Sequence, residues 1–431
     1  MDILTEFGHL KNKKMKKYYT ILIALLAVNG AFGQWTKQYT LPQRDFHSVF
    51  FTDANTGYVA GDSGILLKTE NGGKLWTVLP SGTTKNLNSV FFTDANTGYV
   101  AGGQQYGPGI ILKTTNGGAS WTKVSNGISF ALFSVYFTDA NTGYAVGDSS
   151  SILKTINGGT TWIAGWTGIP ETTVFTSVCF PDANNGYVVG YTTIIVPNGA
   201  IMLSQLFTTG DGGTIWGDVQ VGSYGPLNSV YCPDVNTCYA VGGNLPYRPT
   251  YSEVVKMTHG TDDITVQISR ENFSLNSVFF TDDNTGYAVG ISGTILKTTN
   301  GGADWTSQNS GTNNGFSSVF FTDANTGYVV GGGIILKTTN GGNSLGISNS
   351  SLTESTLKIH PNPATSQITI ETSAIRSPEQ LLISNLGGQQ VFEQRITEPT
   401  TTIDISKLPG GVYCVRLTGE SKVQVAKFIK Q

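Results

Sequence analysis

The chain has 431 residues, of which 54 are glycine and only 13% are charged. Ordinary soluble chains hold about 7% glycine and about 25% charged residues, so long charged helices and coiled coils are excluded, while an aromatic share of 11% excludes a disordered chain. A formal charge of −3 with no clustered Lys and Arg argues against a nucleic-acid partner. Four cysteines without a CxxC pair, beside four histidines, give no tetrahedral zinc set, and neither a metal nor another cofactor is expected.

From Met15 the sequence reads MKKYYTILIALLAVNGAFGQ: two lysines, an apolar run over about 18–28, then small residues ending at Gly33. This order is that of a secretory signal peptide, and the run is shorter than the roughly 20 residues a spanning helix needs. The reading places a signal peptide at 1–33 with Met15 as the true start, and leaves no transmembrane helix in the mature chain. Loss of Lys11, Lys13, Lys14, Lys16 and Lys17 with Asp2 and Glu6 takes the formal charge from −3 to −6.

One phrase then recurs seven times, as SVFFTDANTGYVAG at Ser48 and in related form at Ser89, Ser134, Ser177, Ser229, Ser277 and Ser318. Each copy is followed by a segment such as ILKTTNGGASWT, decayed in the fifth copy to VVKMTHGTDDIT. Alternating apolar and β-branched residues, broken by Asp/Asn/Gly turns, read as four short strands per unit. Four strands per repeat of this length mark a β-propeller, so 34–345 is predicted to form seven blades. Asp53 and its six equivalents fill one turn slot in every unit, which points to a structural role. The first unit lacks a preceding NGG before Trp35, while the seventh has its NGG at 340–342 but Leu345 in the Trp slot. These defects match, and the segment at Trp35 and Thr36 is expected to supply the outer strand of the last blade.

The T-x-N/D-G-G-x-x-W phrase resembles the Asp-box of sialidase-like propellers, with Asn71, Asn116, Asn157, Asn300 and Asn340 where that family has Asp, and Asp211 keeping the acid. Together with the preceding SVFFTDANTGYVVG it is similar to propellers of the photosystem II assembly and stability factor type. The resemblance implies the fold, and one fold hosts many functions.

Function is sought where the units differ. Insertions at 102–109, 191–205 and 242–255 fall between second and third strands, on the end that carries the connections between blades, one of which is lengthened around Trp166 to Glu171. Tyr106, Trp166, Tyr191, Tyr247, Arg248 and Tyr251 are the candidate ligand-binding residues, being stiff amphipathic groups suited to a sugar ring or a protein anchor. Cys232 and Cys238, together in the fifth unit of an exported chain, read as a disulfide, and Cys179 as a buried thiol. The propeller's only arginines, Arg44, Arg248 and Arg270, form no sialidase motif, the carboxyls outside the turn and box slots, such as Asp45, Asp62, Asp148, Glu171 and Glu253, read mostly as surface groups rather than an acid pair, and no phosphate loop, GxSxG or HExxH occurs. No catalytic residue is assigned and the chain is read as a non-enzyme.

After 342 a Ser/Thr/Asn-rich linker (346–355) leads to strand-like segments over 356–431, a small immunoglobulin-like β-sandwich. Pro361-Asn362-Pro363, then Gly410-Gly411 with Tyr413, then the ending around Lys427 closely resemble the type A sorting domain of type IX secretion. That resemblance implies export through the periplasm to the surface of a Gram-negative bacterium or beyond, with the secretion machinery as partner. The sequence thus reads as an all-β, exported, monomeric binding module for a glycan or protein. A polysaccharide hydrolase of sialidase-like or xyloglucanase-like type, and an envelope assembly factor, are the alternatives.

Overall fold

The computed structural model describes residues 34–124, 128–165, 172–197, 199–221, 225–243, 251–258, 264–271, 274–343, 357–372, 378–385, 389–419 and 423–431. Apart from one 3-10 turn at Asp62–Gly64, the regular structure among them is β-strand. The chain divides into two compact units at Asn343 and Ser344.

Seven four-stranded antiparallel sheets make up the first unit, a seven-bladed propeller. In blade one the strands are Phe46–Phe51, Gly57–Gly61, Leu66–Thr69 and Thr77–Val78. Blade seven takes Ser318–Phe321, Gly327–Gly331 and Ile334–Thr338 from its own repeat, and its fourth strand is Thr36–Thr40 from the start of the propeller. Trp35 fills the last blade's tryptophan slot, buried and edge-on to Phe321 at 5.9 Å, as Trp76 is to Phe51 at 6.0 Å. The expected closure is what the chain does, and it gives blade seven the fourth strand that its own repeat lacks.

First strands line the axis. Along Phe46–Phe51, Val49 and Phe51 turn into the blade core while Ser48 and Phe50 turn inward, the period of two that a strand imposes. The serine has a role its repetition did not announce: the hydroxyl of each accepts the N–H of the next blade's valine. Ser48 takes Val90, Ser89 takes Val135, and so on around the ring until Ser318 takes Val49, at 3.2 to 3.4 Å throughout. Below it, Phe50, Phe91, Tyr136, Tyr231, Phe279 and Phe320 pack around the axis, neighbouring rings being about 5 Å apart. Cys179 holds the seventh position, buried, with burial pushing its thiol up to about 12.

Blades are also joined by tyrosines. Fully buried Tyr58 stacks on Phe92 of the next blade at 4.0 Å and donates its hydroxyl to the Gly117 carbonyl at 2.8 Å. Tyr99, Tyr144, Tyr239, Tyr287 and Tyr328 repeat the bond, the last reaching Gly72 across the closure.

The second unit is a sandwich of a three-stranded sheet (Lys358–His360, Gln367–Glu371, Thr400–Asp404) and a four-stranded one (Gln390–Ile396, Glu379–Asn385, Gly411–Thr418, Val423–Lys430). Ile368, Ile370, Leu381, Ile383, Val415 and Leu417 fill the space between.

Candidate binding face

Antiparallel strands put alternate turns at opposite ends of a blade, and the hydrogen bonds identify each end. The turn after the first strand meets the turn after the third, since Gly72 N–H bonds Asn55 carbonyl, and five further blades repeat this. Here Asp53 Oδ1 accepts the N–H groups of Asn55 and Thr56 at 2.7 and 2.9 Å. Asp94, Asp139, Asp182, Asp234, Asp282 and Asp323 do the same in the other six blades. The box residues close the neighbouring turn: Asn71 Oδ1 accepts Leu75 N–H, and Asp211 Oδ1 accepts Ile215 N–H. This end repeats one turn chemistry, and its seven recurring Asp carboxylates are occupied in holding backbone.

The opposite end gathers the turns between second and third strands with the connections between blades, as Asp62 N–H to Asp45 carbonyl and Gly103 N–H to Asn86 carbonyl record. Here the blades differ. In blade two, Gly103 to Gly109 form a loop, and Tyr106 stands 89% exposed at its tip. Tyr106 adopts a left-handed backbone (φ 61°), which aims its N–H down onto Asp148 Oδ2 at 2.7 Å in blade three. The adjacent Gln105 donates to Tyr191 Oη at 3.0 Å in blade four. Three blades are therefore bridged on this face. Burial and the nearby Tyr106 and Asp148 raise the Tyr191 phenol, against the Gln105 bond.

Tyr191 also borders an open pocket of about 380 Å³ that runs over blades four to six, lined by Met202, Pro226, Asn228, Gly243, Ser274 and Asn276. Asn228 and Asn276 each donate their amide to a carbonyl of the following blade, Leu275 and Phe316, at 2.8 Å. Above it rises a structure not expected from the sequence. The 191–205 insertion lengthens the second and third strands into a hairpin of two 11-residue strands, Gly186–Val196 and Gly199–Thr209, and Ile195 near its tip is 80% exposed. Ile194 pairs with Ile201, Ile195 with Ala200 and Val196 with Gly199, and these apolar and β-branched residues extend the ladder.

Of the expected ligand-binding residues, the structure brings Tyr106 and Tyr191 together through Gln105. Trp166, Tyr247 and Arg248 lie outside the described residues, as does Leu345. Tyr251 begins the third strand of blade five, Tyr251–Thr258, so the 242–255 insertion too is partly strand. Cys232 and Cys238 are bonded, with Sγ atoms 2.06 Å apart. Among the described residues no group of three His, Cys, Asp or Glu side chains gathers to hold a metal, and no helix is long and apolar enough to cross a membrane.

In the second unit, Asn362, flanked by cis peptides at Pro361 and Pro363, accepts Ile429 N–H at 2.9 Å and donates to Lys427 carbonyl at 3.2 Å. It thereby ties the first motif to the terminal strand. Tyr413 stacks on Phe428 at 5.4 Å and donates to Pro409 carbonyl at 2.8 Å. Gly410 and Gly411 lead into Gly411–Thr418, and the Lys427 side chain is exposed.

Comparison with known proteins agrees with this division. Residues 358–431 match the secretion system C-terminal sorting domain, and residues 29–130 and 256–356 match the photosynthesis system II assembly factor YCF48 model. Among solved structures, "YCF48 bound to D1 peptide" is 16% identical with a TM-score of 0.54, over 72% of this chain and 98% of that one. YCF48 from Cyanidioschyzon merolae is 19% identical with a TM-score of 0.55, over 70% and 98%. The WD40 propeller domain of Doa1 is 11% identical with a TM-score of 0.53, over 71% and 97%. These likenesses are of fold. No curated protein matches the chain.

Proposed function

We propose that this chain, a YCF48-like propeller bearing a secretion system C-terminal sorting domain, is a non-catalytic binding module that works outside the cell. The observation that carries the reading is the confinement of irregularity to one end: the 103–109 loop, the 186–209 hairpin and the Tyr191 pocket share a face, while the other end is given over to turn chemistry. Tyr106 and Tyr191, with Trp166, Tyr247, Arg248 and Tyr251, are the residues assigned to the ligand. A protein segment is the favoured ligand class and a glycan the second; a propeller of this fold is described as bound to a peptide.

In the same account residues 1–33 are the signal peptide, with Met15 the start, 34–345 the propeller, 346–355 the linker and 356–431 the sorting domain. The last engages type IX secretion machinery in the envelope of a Gram-negative bacterium, through the face that carries Pro361, Asn362, Pro363, Gly410, Gly411, Tyr413 and Lys427. The propeller acts as a monomer, secreted or held at the surface.

The test applies the full chain, and a variant with Tyr106, Tyr191, Tyr247, Arg248 and Tyr251 changed to Ala, to panels of polysaccharides and peptides, scoring both retention and released product. Retention lost in the variant, without product, is expected. Product release from any panel member would overturn the non-catalytic reading, and equal retention of the variant would overturn the assignment to this face.

A further inference from the structure

Asp148 lies at the start of the turn between the second and third strands of blade three, and only 2% of it is exposed. Its Oδ2 accepts Tyr106 N–H, while Oδ1 is buried without a hydrogen-bond partner. A carboxylate removed from water is costly unless a donor or cation compensates it, and burial accordingly raises the pKa of this group despite the Tyr106 bond.

Blade one shows how the same slot is completed. Asp62 occupies the equivalent turn position, its N–H bonding the carbonyl before the first strand as Asp148's does. There Oδ2 accepts Asp45 N–H at 3.1 Å and Oδ1 meets His47 Nε2 at 2.9 Å. His47 is the bulged residue between Phe46 and Ser48, and the bulged residue of blade three is Phe133. The partner that satisfies Asp62 is therefore replaced by a hydrocarbon, and among the described residues no Lys, Arg or His nitrogen pairs with Asp148.

We propose that Asp148 is the anionic end of a subsite for a basic side chain, a lysine ammonium or arginine guanidinium, of a protein partner. This rests on the binding-face reading above and gives it a ligand chemistry. Tyr106, whose N–H holds the carboxylate, and Tyr191, bonded to the adjacent Gln105, stand beside it, and phenol rings accept both the aliphatic stem and the cation of such a residue. The depth of the carboxylate selects the ligand: a charge on a slender stem reaches it, whereas an ammonium fixed to a sugar ring does not. The incoming head forms a charge-assisted bond with Oδ1, the oxygen that Tyr106 N–H does not use.

The experiment titrates the full chain with fluorescein-labelled trilysine and triarginine peptides, with tri(acetyl-lysine) as the uncharged control and a chitosan hexamer as the amino-sugar arm. Asp148→Asn keeps an acceptor for Tyr106 and removes the charge; Phe133→His installs the internal partner that blade one already has. Binding of both basic peptides and not of acetyl-lysine is expected, weakened about tenfold or more by either substitution, with the melting temperature of Asp148→Asn unchanged or raised. Equal binding of charged and acetylated peptides, full binding by Asp148→Asn, no binding of basic peptides by about 1 mM, or Asp148-dependent binding of chitosan alone would each overturn the proposal. Tyr106- and Tyr191-dependent retention of another ligand, insensitive to Asp148→Asn, would overturn it while leaving the binding-face reading intact.

Discussion

The two ends of the propeller are built from the same strands and differ in what their turns are asked to do. At one end, Asp53 and its six equivalents each spend a carboxylate oxygen on two backbone N–H groups, and in the neighbouring box turns an amide or carboxylate oxygen, as of Asn71 or Asp211, also accepts backbone N–H. At the other, Asp148 is buried with one oxygen unpartnered, Tyr106 stands in solvent in a left-handed conformation, and a hairpin of two 11-residue strands rises above the sheet. Repetition marks what every blade needs in order to stand. Departure from it marks what the molecule as a whole has to spare for a ligand.

The largest effect expected from breaking the regular part is at the closure. Deleting residues 34–40 removes Trp35 from a buried slot and the outer strand from blade seven, exposing the edge of Ile334–Thr338. The melting temperature should fall by about 10 °C or more, and the variant should aggregate; an unchanged melt would show that the ring does not depend on its seam.

A smaller effect separates two members of one repeat. Tyr58→Phe removes the tyrosine bond to the Gly117 carbonyl and should cost about 1 kcal/mol. Tyr99→Phe removes the same bond to Gly158, but Lys113 Nζ also donates to that carbonyl at 2.6 Å, so the acceptor stays satisfied and the loss should be smaller. Urea denaturation of the pair checks the order.

The smallest expected effect is a dependence on acidity. Backbone N–H groups, of Asn55, Asn96 and Asn141 first, hold Asp53, Asp94 and Asp139 below the usual carboxylate range. A depressed folded-state pKa contributes stability that is present above the unfolded value near 3.8 and is lost as pH falls through the folded value. Stability should therefore decline from about pH 4 downward, and mutating these three to Asn should flatten that decline in melts taken across the range.

Much of the architecture was legible because its signals are local and repeated. The Asp-Ala-Asn-Thr-Gly turn names its own geometry, and the unmatched Trp35 and the empty tryptophan slot at the far end named their partnership. Two features escaped. The 191–205 insertion, absent from the other units, carries paired strand, Gly186–Val196 against Gly199–Thr209, for which the repeat itself offers no template. The serine ladder was visible only as an invariant letter, since no local rule says that Ser48 will meet the next blade. At the site, Gly61-Asp62-Ser63 and Gly147-Asp148-Ser149 look alike in sequence. What separates them is His47 against Phe133, about fifteen residues earlier, which only the strand register brings to the same place.

The central claim, that one end serves the fold and the other serves a ligand, is tested most directly by measuring melting temperature and retention together on two variants of the full chain. One changes Tyr106 and Tyr191 to Ala, the other Asp53, Asp94 and Asp139 to Ala. The account predicts that the first loses retention on its best panel ligand and keeps its melting temperature within about 2 °C, while the second melts earlier and still binds below its transition. Retention lost only in the second, or stability lost only in the first, would contradict it.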